Sequence, residues 1–430
     1  MMNDLLVRVL VAGLCLLAVM RPSRGQAAPP PGPLTVDEAV KEALDHNLGL
    51  LARRFNISIA EAGLITARLR PNPVLAIGGD HLDLLGTHYN TINNAGPQEF
   101  SIRTDFVFER GGKRQSRMEV ATNSIHIAQL EFLDAVRKLI LDVQSAFVDL
   151  QLAKANLALA EESFKAMTQV VALNAARVKS GDLAEVELVR SRVAALQFKN
   201  QVRQAGLKIR TTTNRLQLLL GRTETSGSLE VDGSFRRDPD PPDLNTLREM
   251  ARQLRPDLQA LRREQARSQA ELRLQLAQGK VDYVIGSEYR RQQGIAGTGN
   301  SLGIFFQADI PVFNRNQGEI ERVRREQRQI EARLRELEAT IAVELENAYE
   351  QFATARTLLT DIEQDMLRQA GDVRSITEYS YLRGEATLIE FLDAQRAFNE
   401  TMQAYNEARA EYARSLYVLD SVTGMSGRTK

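Results

Sequence analysis

Two stretches of this chain, about 205 residues apart, repeat one another, and a duplication of that length constrains the architecture before any single residue does. Phe106 to Ala121 lines up with Asp309 to Glu326, so that Val107, Phe108 and Arg110 fall against Val312, Phe313 and Arg315. His46 to Ala62 parallels Pro256 to Leu272, Arg177 to Val189 parallels Ser380 to Leu392, and Gly221 falls where Gly424 does. Each copy is expected to end a strand and open a very long helix at the first of these matches. The predicted organisation is a repeat over 28–235, a proline-rich linker over 236–243 and a second repeat over 244–430.

Proline divides the map. None occurs between Pro97 and Pro239, or after Pro311, which leaves room for uninterrupted helices. From Arg114 to Arg177 the residues Leu133, Val136, Ile140, Val143, Phe147, Leu150 and Leu157 recur at steps of three and four, the seam of a coiled coil. Ile330, Leu334, Leu337, Ile341, Leu345, Ala348 and Phe352 repeat it. A helix of that span would be roughly 95 Å long at 1.5 Å per residue. Each long helix meets a glycine, Gly181 or Gly384, where the chain is expected to stop and turn into a second helix.

Four other segments have a period of two. Phe100, Ile102, Phe106 and Phe108 alternate with Ser101, Arg103 and Asp105. Leu302, Ile304, Phe306, Ala308 and Ile310 alternate with polar residues and Gly303, with Phe305 the apolar exception. Val281, Tyr283, Ile285 and Tyr289 do likewise, and Val74 to Leu84 is a weaker case. Alternation alone fits either a sheet packed on the helices or strands of a transmembrane barrel. Gly294, Gly297, Gly299 and Gly303 read as an exposed hairpin loop between two of these strands, with no helix opening after them to make a phosphate site.

The start of the chain favours the barrel. Leu5 to Met20 is almost wholly apolar, follows a weakly basic start at Arg8 and precedes small residues at Gly25-Gln26-Ala27, so residues 1–27 read as a secretory signal peptide. No other segment is apolar enough to cross a bilayer as a helix. The single cysteine, Cys15, lies inside that leader behind Leu14, which excludes lipid attachment there and leaves the exported chain without a thiol for catalysis or metal binding. A formal net charge of zero gives no electrostatic case for nucleic acid. His46, His81, His88 and His126 are scattered, and no metal or cofactor site is expected. Four strands cannot close a barrel, which needs about eight, and open sheet edges cannot face lipid. Strands must therefore come from several copies.

These residues resemble the TolC-like outer membrane efflux factors, and within them the heavy-metal branch. The strand-to-helix stretch Pro311 to Glu326, with Phe313, Asn314, Arg315 and Gly318, is similar to that branch's signature. Glu109 to Ala121, with Arg110, Gly111 and Gly112, is similar to its first-repeat counterpart. The resemblance covers nearly the whole mature chain. It implies a mainly α fold with transmembrane β: duplicated long helical hairpins and four strands per chain, trimerising into a 12-stranded outer membrane barrel above a periplasmic α-helical barrel. It also implies a periplasmic adaptor protein and an inner-membrane RND transporter as partners, outer membrane lipid around the barrel, and docking of the adaptor at the helix tips Gly181 and Gly384.

The resemblance further implies a gate at those tips. Glu390 and Asp393 stand where the family carries a constricting acidic pair, Glu187 stands at the matching position of the first repeat, and Tyr381 matches a tyrosine that ties helices shut. Read without the resemblance, these charges suit a solvated helix face. The family's gate arginine is replaced by Ala386, with Arg383 as the nearest substitute. The functional expectation is a passive channel for efflux of heavy-metal cations and no enzyme. Alternatives are a duct for drug efflux or type I secretion and, less well matched, a periplasmic coiled-coil adaptor, which would carry one hairpin rather than two.

Overall fold

The computed structural model describes residues 33–86, 98–223, 229–238, 241–294 and 297–425. The predicted signal peptide, His88 and part of the predicted proline-rich linker lie outside them. The element order states the duplication plainly: α1 (Val36–His46), α2 (Leu48–Arg68), β1 (Val74–Asp80), β2 (Glu99–Phe108), α3 (Lys113–Ser180) and α4 (Glu185–Leu219), then α5 (Leu244–Leu254), α6 (Pro256–Gln278), β3 (Tyr283–Gly294), β4 (Gly297–Ala308), α7 (Gln317–Asp361), a π-turn (Ile362–Met366), α8 (Leu367–Arg383) and α9 (Leu388–Thr423).

The 68 residues of α3 make a helix about 100 Å long. Its seam is as expected at Ile140, Val143, Phe147 and Leu150, all buried, but Leu133 is 49% exposed and faces away. The second long helix is not uninterrupted. It passes through the π-turn, where the Leu367 amide reaches back five residues to the Ile362 carbonyl, before resuming as α8.

The hairpins lie side by side. Towards the sheet, α2, α3, α6 and α7 form a row; towards the tips the row is α4, α3, α9 and α8. The main core runs along α3 between α1 and α4, through Val143, Phe147, Leu150 and Leu216. A matching core joins α7 and α9 through Leu345, Phe352, Tyr412 and Leu416.

In each repeat the return helix ends against the kink between the two short helices. Gly221 (φ +77°) closes on the His46 carbonyl, and Gly424 (φ +79°) on the backbone of Leu254 and Arg255. This sets the true correspondence of the repeats: Asn47 matches Arg255 and the buried Leu50 matches Leu258. The alignment read from sequence is two residues out here, because the short helices carry weak similarity and the packing, not the residue types, defines equivalence.

The four strands form one antiparallel sheet in the order β1-β2-β3-β4, with β2–β3 joining the repeats and β1 and β4 as edges. One face carries Phe100, Ile102, Phe106, Leu302, Ile304 and Phe306, all exposed. The other carries the charges: Arg103 pairs in register with Glu288, and Ser101 with Arg290. Phe305, the exception to alternation, lies on this polar face. Its partner in register is Gly286, and the Arg103 guanidinium stands 4.5 Å over its ring. Among the described residues, no helix is long and apolar enough to cross a membrane.

Three further expectations change. Gly297, Gly299 and Gly303 belong to β4 and Gly294 to β3, so the turn is shorter than the glycines suggested; glycine's missing side chain is compatible with a ladder as well as a loop. The first strand ends at Asp80, before Leu84. In the second repeat β4 ends at Ala308, so Val312 and Phe313 lie in the connection and are 59% and 91% exposed. Their first-repeat counterparts Val107 and Phe108 are strand residues. The similarity of the two stretches therefore spans different backbone structures.

Candidate gate at the helical tips

Both hairpins turn at a glycine in the left-handed region, Gly181 with φ +83° and Gly384 with φ +85°. The amides that follow close the helix ends: Asp182 N–H donates to the Arg177 carbonyl at 2.9 Å and Glu385 N–H to the Ser380 carbonyl at 2.9 Å. Nothing approaches an added Cβ at either glycine, so conformation alone requires glycine there.

Tyr381, three residues before its tip, is the one buried side chain of α8. Its hydroxyl donates to Asn174 Oδ1 on α3 at 2.7 Å, and its ring stacks on Phe391 with centroids 5.3 Å apart. Burial, opposed in part by the Asn174 hydrogen bond, raises its pKa. Arg177 reaches across from α3 and donates to the carbonyls of Tyr381 and Leu382 at 3.3 and 2.6 Å. Arg374 adds a 3.0 Å bond to Glu162. Arg383, expected to replace the absent gate arginine, instead lies over Tyr379 at 4.3 Å. The cation that lies beside the Tyr381 ring, at 5.9 Å, is Arg177, because the fold sets the helices of the two hairpins side by side. Sequence reasoning singled out neither Asn174 nor Arg177. An asparagine inside a long helix gives no distinguishing signal, and only its burial does.

The predicted carboxylates all lie within the first turns after their tips, Glu187 on α4 and Glu390 and Asp393 on α9, and are differently employed. Glu390 closes a capping box: its Oε2 accepts from the Thr387 amide at 2.6 Å and from the Thr387 hydroxyl at 2.8 Å, while its own amide donates to Thr387 Oγ1. Those bonds lower its pKa from the ordinary carboxylate value. Asp393 is exposed and pairs with Arg396 at 3.5 Å. Glu187 accepts from Arg190 at 2.7 Å.

The strand-to-helix stretches at the other end act as joints. Gly111 (φ +74°) and Gly112 (φ +75°) turn the chain into α3, with Lys113 buried and bonded to Asp282 at 2.7 Å and to the Lys280 carbonyl at 2.9 Å. The Arg110 amide donates to the same Asp282 at 2.8 Å, and its guanidinium stacks on Tyr283. In the second repeat Asn316 takes the left-handed position (φ +64°) in place of glycine, its side-chain amide donating to the Gln275 carbonyl at 2.8 Å. Asn314 accepts from the Asn316 amide at 2.9 Å, and Arg315 donates to the Pro311 carbonyl at 3.2 Å. Gly318 lies in the first turn of α7 with open space around it.

Duplicated helical hairpins, a sheet with one apolar and one charged face, and a polar latch near the tips define an outer membrane channel protein. The chain belongs to the outer membrane efflux protein family, which matches residues 39–222 and 247–425. Among curated proteins it is 21% identical over 393 residues to the cobalt-zinc-cadmium resistance protein CzcC of Cupriavidus metallidurans, covering 91% of this chain and 90% of that one. It is also 21% identical over 417 residues to nodulation protein T of Rhizobium leguminosarum, covering 90% and 84%. Among solved structures it superposes on CusC with a TM-score of 0.74 at 17% identity, covering 93% of this chain and 95% of that one. On the outer membrane protein VceC of Vibrio cholerae the TM-score is 0.71 at 15% identity, covering 90% and 96%.

Proposed function

We propose that three copies of this chain form the outer membrane duct of a tripartite efflux system, which passively conducts heavy-metal cations handed over by a periplasmic adaptor and an inner-membrane RND pump. The observation that carries the assembly is the pair of free edges, β1 and β4. A lone four-stranded sheet with an apolar outer face leaves backbone groups that lipid cannot satisfy. Three copies supply twelve strands, and the rows of four helices below them supply twelve helices. The apolar face meets lipid, and the Arg103, Glu288 and Arg290 face lines the bore.

The substrate class draws its support from the similarity to CzcC, whose printed name is cobalt-zinc-cadmium resistance protein. The duct needs no catalytic group. Its selectivity comes from Glu390, Asp393 and Glu187, each repeated three times around the tip constriction, where carboxylate rings favour cations. Gly181 and Gly384 present the tips to the adaptor. Growth of a deletion strain on a panel of metal salts, detergents and antibiotics tests this reading. Sensitivity confined to metals is the expected result; sensitivity confined to organic compounds would replace the substrate and keep the duct.

A further inference from the structure

The charged face of the sheet holds Arg290 and Arg103, and the two are tethered differently. Arg290 lies between two carboxylates, donating to Glu288 Oε1 from Nε and Nη2 at 2.9 and 2.8 Å and to Glu99 from Nη1 at 3.1 Å. Arg103 has one: its Nε donates to Asp105 Oδ1 at 2.9 Å. Glu288, its partner in register, already accepts from Arg290. The Phe305 ring, its centroid 4.5 Å from the Arg103 guanidinium carbon, stands in the place of a second carboxylate.

Two glycines make room for this cluster. Gly286 is opposite both Asp105 and Phe305 in the ladder, and a Cβ there would lie 2.2 Å from Asp105 Oδ1 and 3.5 Å from Arg103 Nε. Gly303 stands two residues before Phe305 on β4, where a Cβ would lie 3.1 and 3.2 Å from Phe305 Cε2 and Cζ. Cζ is the far end of the ring, so the ring is laid back along its own strand instead of standing off the sheet. The arrangement has a purpose at Arg103, because a single exposed ion pair holds a long side chain weakly. A guanidinium over an aromatic face gains a second attraction that water does not screen away in the same manner.

We propose that Phe305 is a positioning residue for ion passage: by pinning the Arg103 guanidinium to the wall on Asp105, it keeps a positive charge out of the barrel's bore, which then favours cations independently of the tip carboxylates. This rests on the three-copy duct proposed above, in which the charged face lines the bore. On that face the carboxylates Asp80, Glu99, Asp105 and Glu288 outnumber Arg103 and Arg290. The wall is therefore net acidic, and rings of such charge attract cations. An arginine released from the wall reaches further toward the axis than the shorter carboxylates around it. Threefold repetition would set three released guanidiniums at one level of the bore, a positive ring where the pinned arrangement leaves none.

The test is the reversal potential of single channels across a potassium chloride gradient in planar bilayers, with the tip residues left as they are. Phe305→Ser is expected to lower the cation-to-anion permeability ratio severalfold and to reduce conductance. Phe305→Tyr keeps the ring face and is expected to leave both at the wild-type level. Phe305→Ser combined with Arg103→Gln is expected to return the ratio to the wild-type value or above, since the released charge is gone. Gly286→Ala reaches the cluster from beneath by displacing the Asp105 carboxylate, and is expected to reproduce the fall with Phe305 in place; it stands in should Phe305→Ser fail to fold. An unchanged ratio in Phe305→Ser, or in Gly286→Ala where that variant stands in, overturns the proposal. So does a fall that Arg103→Gln does not reverse, which would make Phe305 a matter of wall shape alone. Wild-type chains that never form trimers would defeat the duct and this inference with it, a separate result read before any substitution.

Discussion

The Tyr381 hydroxyl and Asn174 Oδ1 lie 2.7 Å apart, joining the second hairpin to the first at a point where Asn174 is fully buried. The amide nitrogen of Asn174 already lacks a partner. Taking away the hydroxyl would leave the whole side chain buried without a bond, a cost of about 1–3 kcal/mol borne by the arrangement in which the two hairpins are joined here. Tyr381→Phe is expected to raise open probability in planar bilayers roughly tenfold, since about 1.4 kcal/mol is a factor of ten. An unchanged open probability would mean that this contact does not hold the gate.

Glu390→Gln with Asp393→Asn is expected to reduce the cation preference of single channels, read as a shift in reversal potential across a salt gradient. Unchanged selectivity would remove both residues from the constriction.

Glu390 also makes the start of α9 acid-sensitive. Its folded pKa is lowered by the Thr387 hydrogen bonds, so its contribution is complete above the ordinary carboxylate value of about 4.3 and disappears as pH falls through the lower folded value. Amides at the start of α9 should exchange faster in that window, and Thr387→Ala should produce the same fraying at neutral pH, at about 1 kcal/mol. Protection that does not change with pH would show that the capping box contributes nothing.

The two kinks that receive the return helices use different chemistry. Asn47 caps α2 by accepting from the Leu50 amide at 2.9 Å, whereas Arg255, 3% exposed, is held by Asp257 at 2.6 Å and Glu344 at 2.6 Å. Asp257→Ala is expected to cost about 3–5 kcal/mol by taking from the buried Arg255 its two-point partner, and Asn47→Ala about 0.5–2 kcal/mol. Denaturant unfolding in detergent measures both, and equal losses would contradict the buried-charge account.

Gly221 and Gly181 share a left-handed backbone but not surroundings. A Cβ on Gly221 would lie 2.2 Å from the His46 carbonyl oxygen, and one on Gly181 meets nothing. Gly181→Ala should cost about 1–2 kcal/mol from conformation alone, and Gly221→Ala about 1–3 kcal/mol more from overpacking. The difference in thermal midpoint between the two variants checks it.

How far the fold was legible follows from what each element leaves in the residue order. Proline-free spans and apolar residues at steps of three and four gave the long helices, and Phe100, Ile102, Phe106 and Phe108 gave a strand with its outer face. The tip glycines were visible because a helix stop needs them. The latch was visible only in half: Tyr381 could be named by resemblance, but Asn174 and Arg177 act across a seam that no local pattern records. Phe305 looked like a lapse in alternation until Gly286 opposite it and Arg103 above it gave a reason for an inward ring. The inserted turn at Ile362–Met366 left no trace, since one additional residue within a helix alters neither composition nor period enough to register.

That turn has an angular consequence. A helix advances about 100° per residue, so one residue absorbed in the Ile362–Met366 π-turn rotates everything beyond it relative to α7. It acts as a phase shifter: above it the helix aims Leu345, Phe352 and Leu359 at the core, and below it the same helix aims Tyr381 at Asn174 with Val373 and Ile376 outward. A chain lacking one residue there would keep the caps at both ends of the hairpin, and would swing the latch a quarter-turn or more out of line.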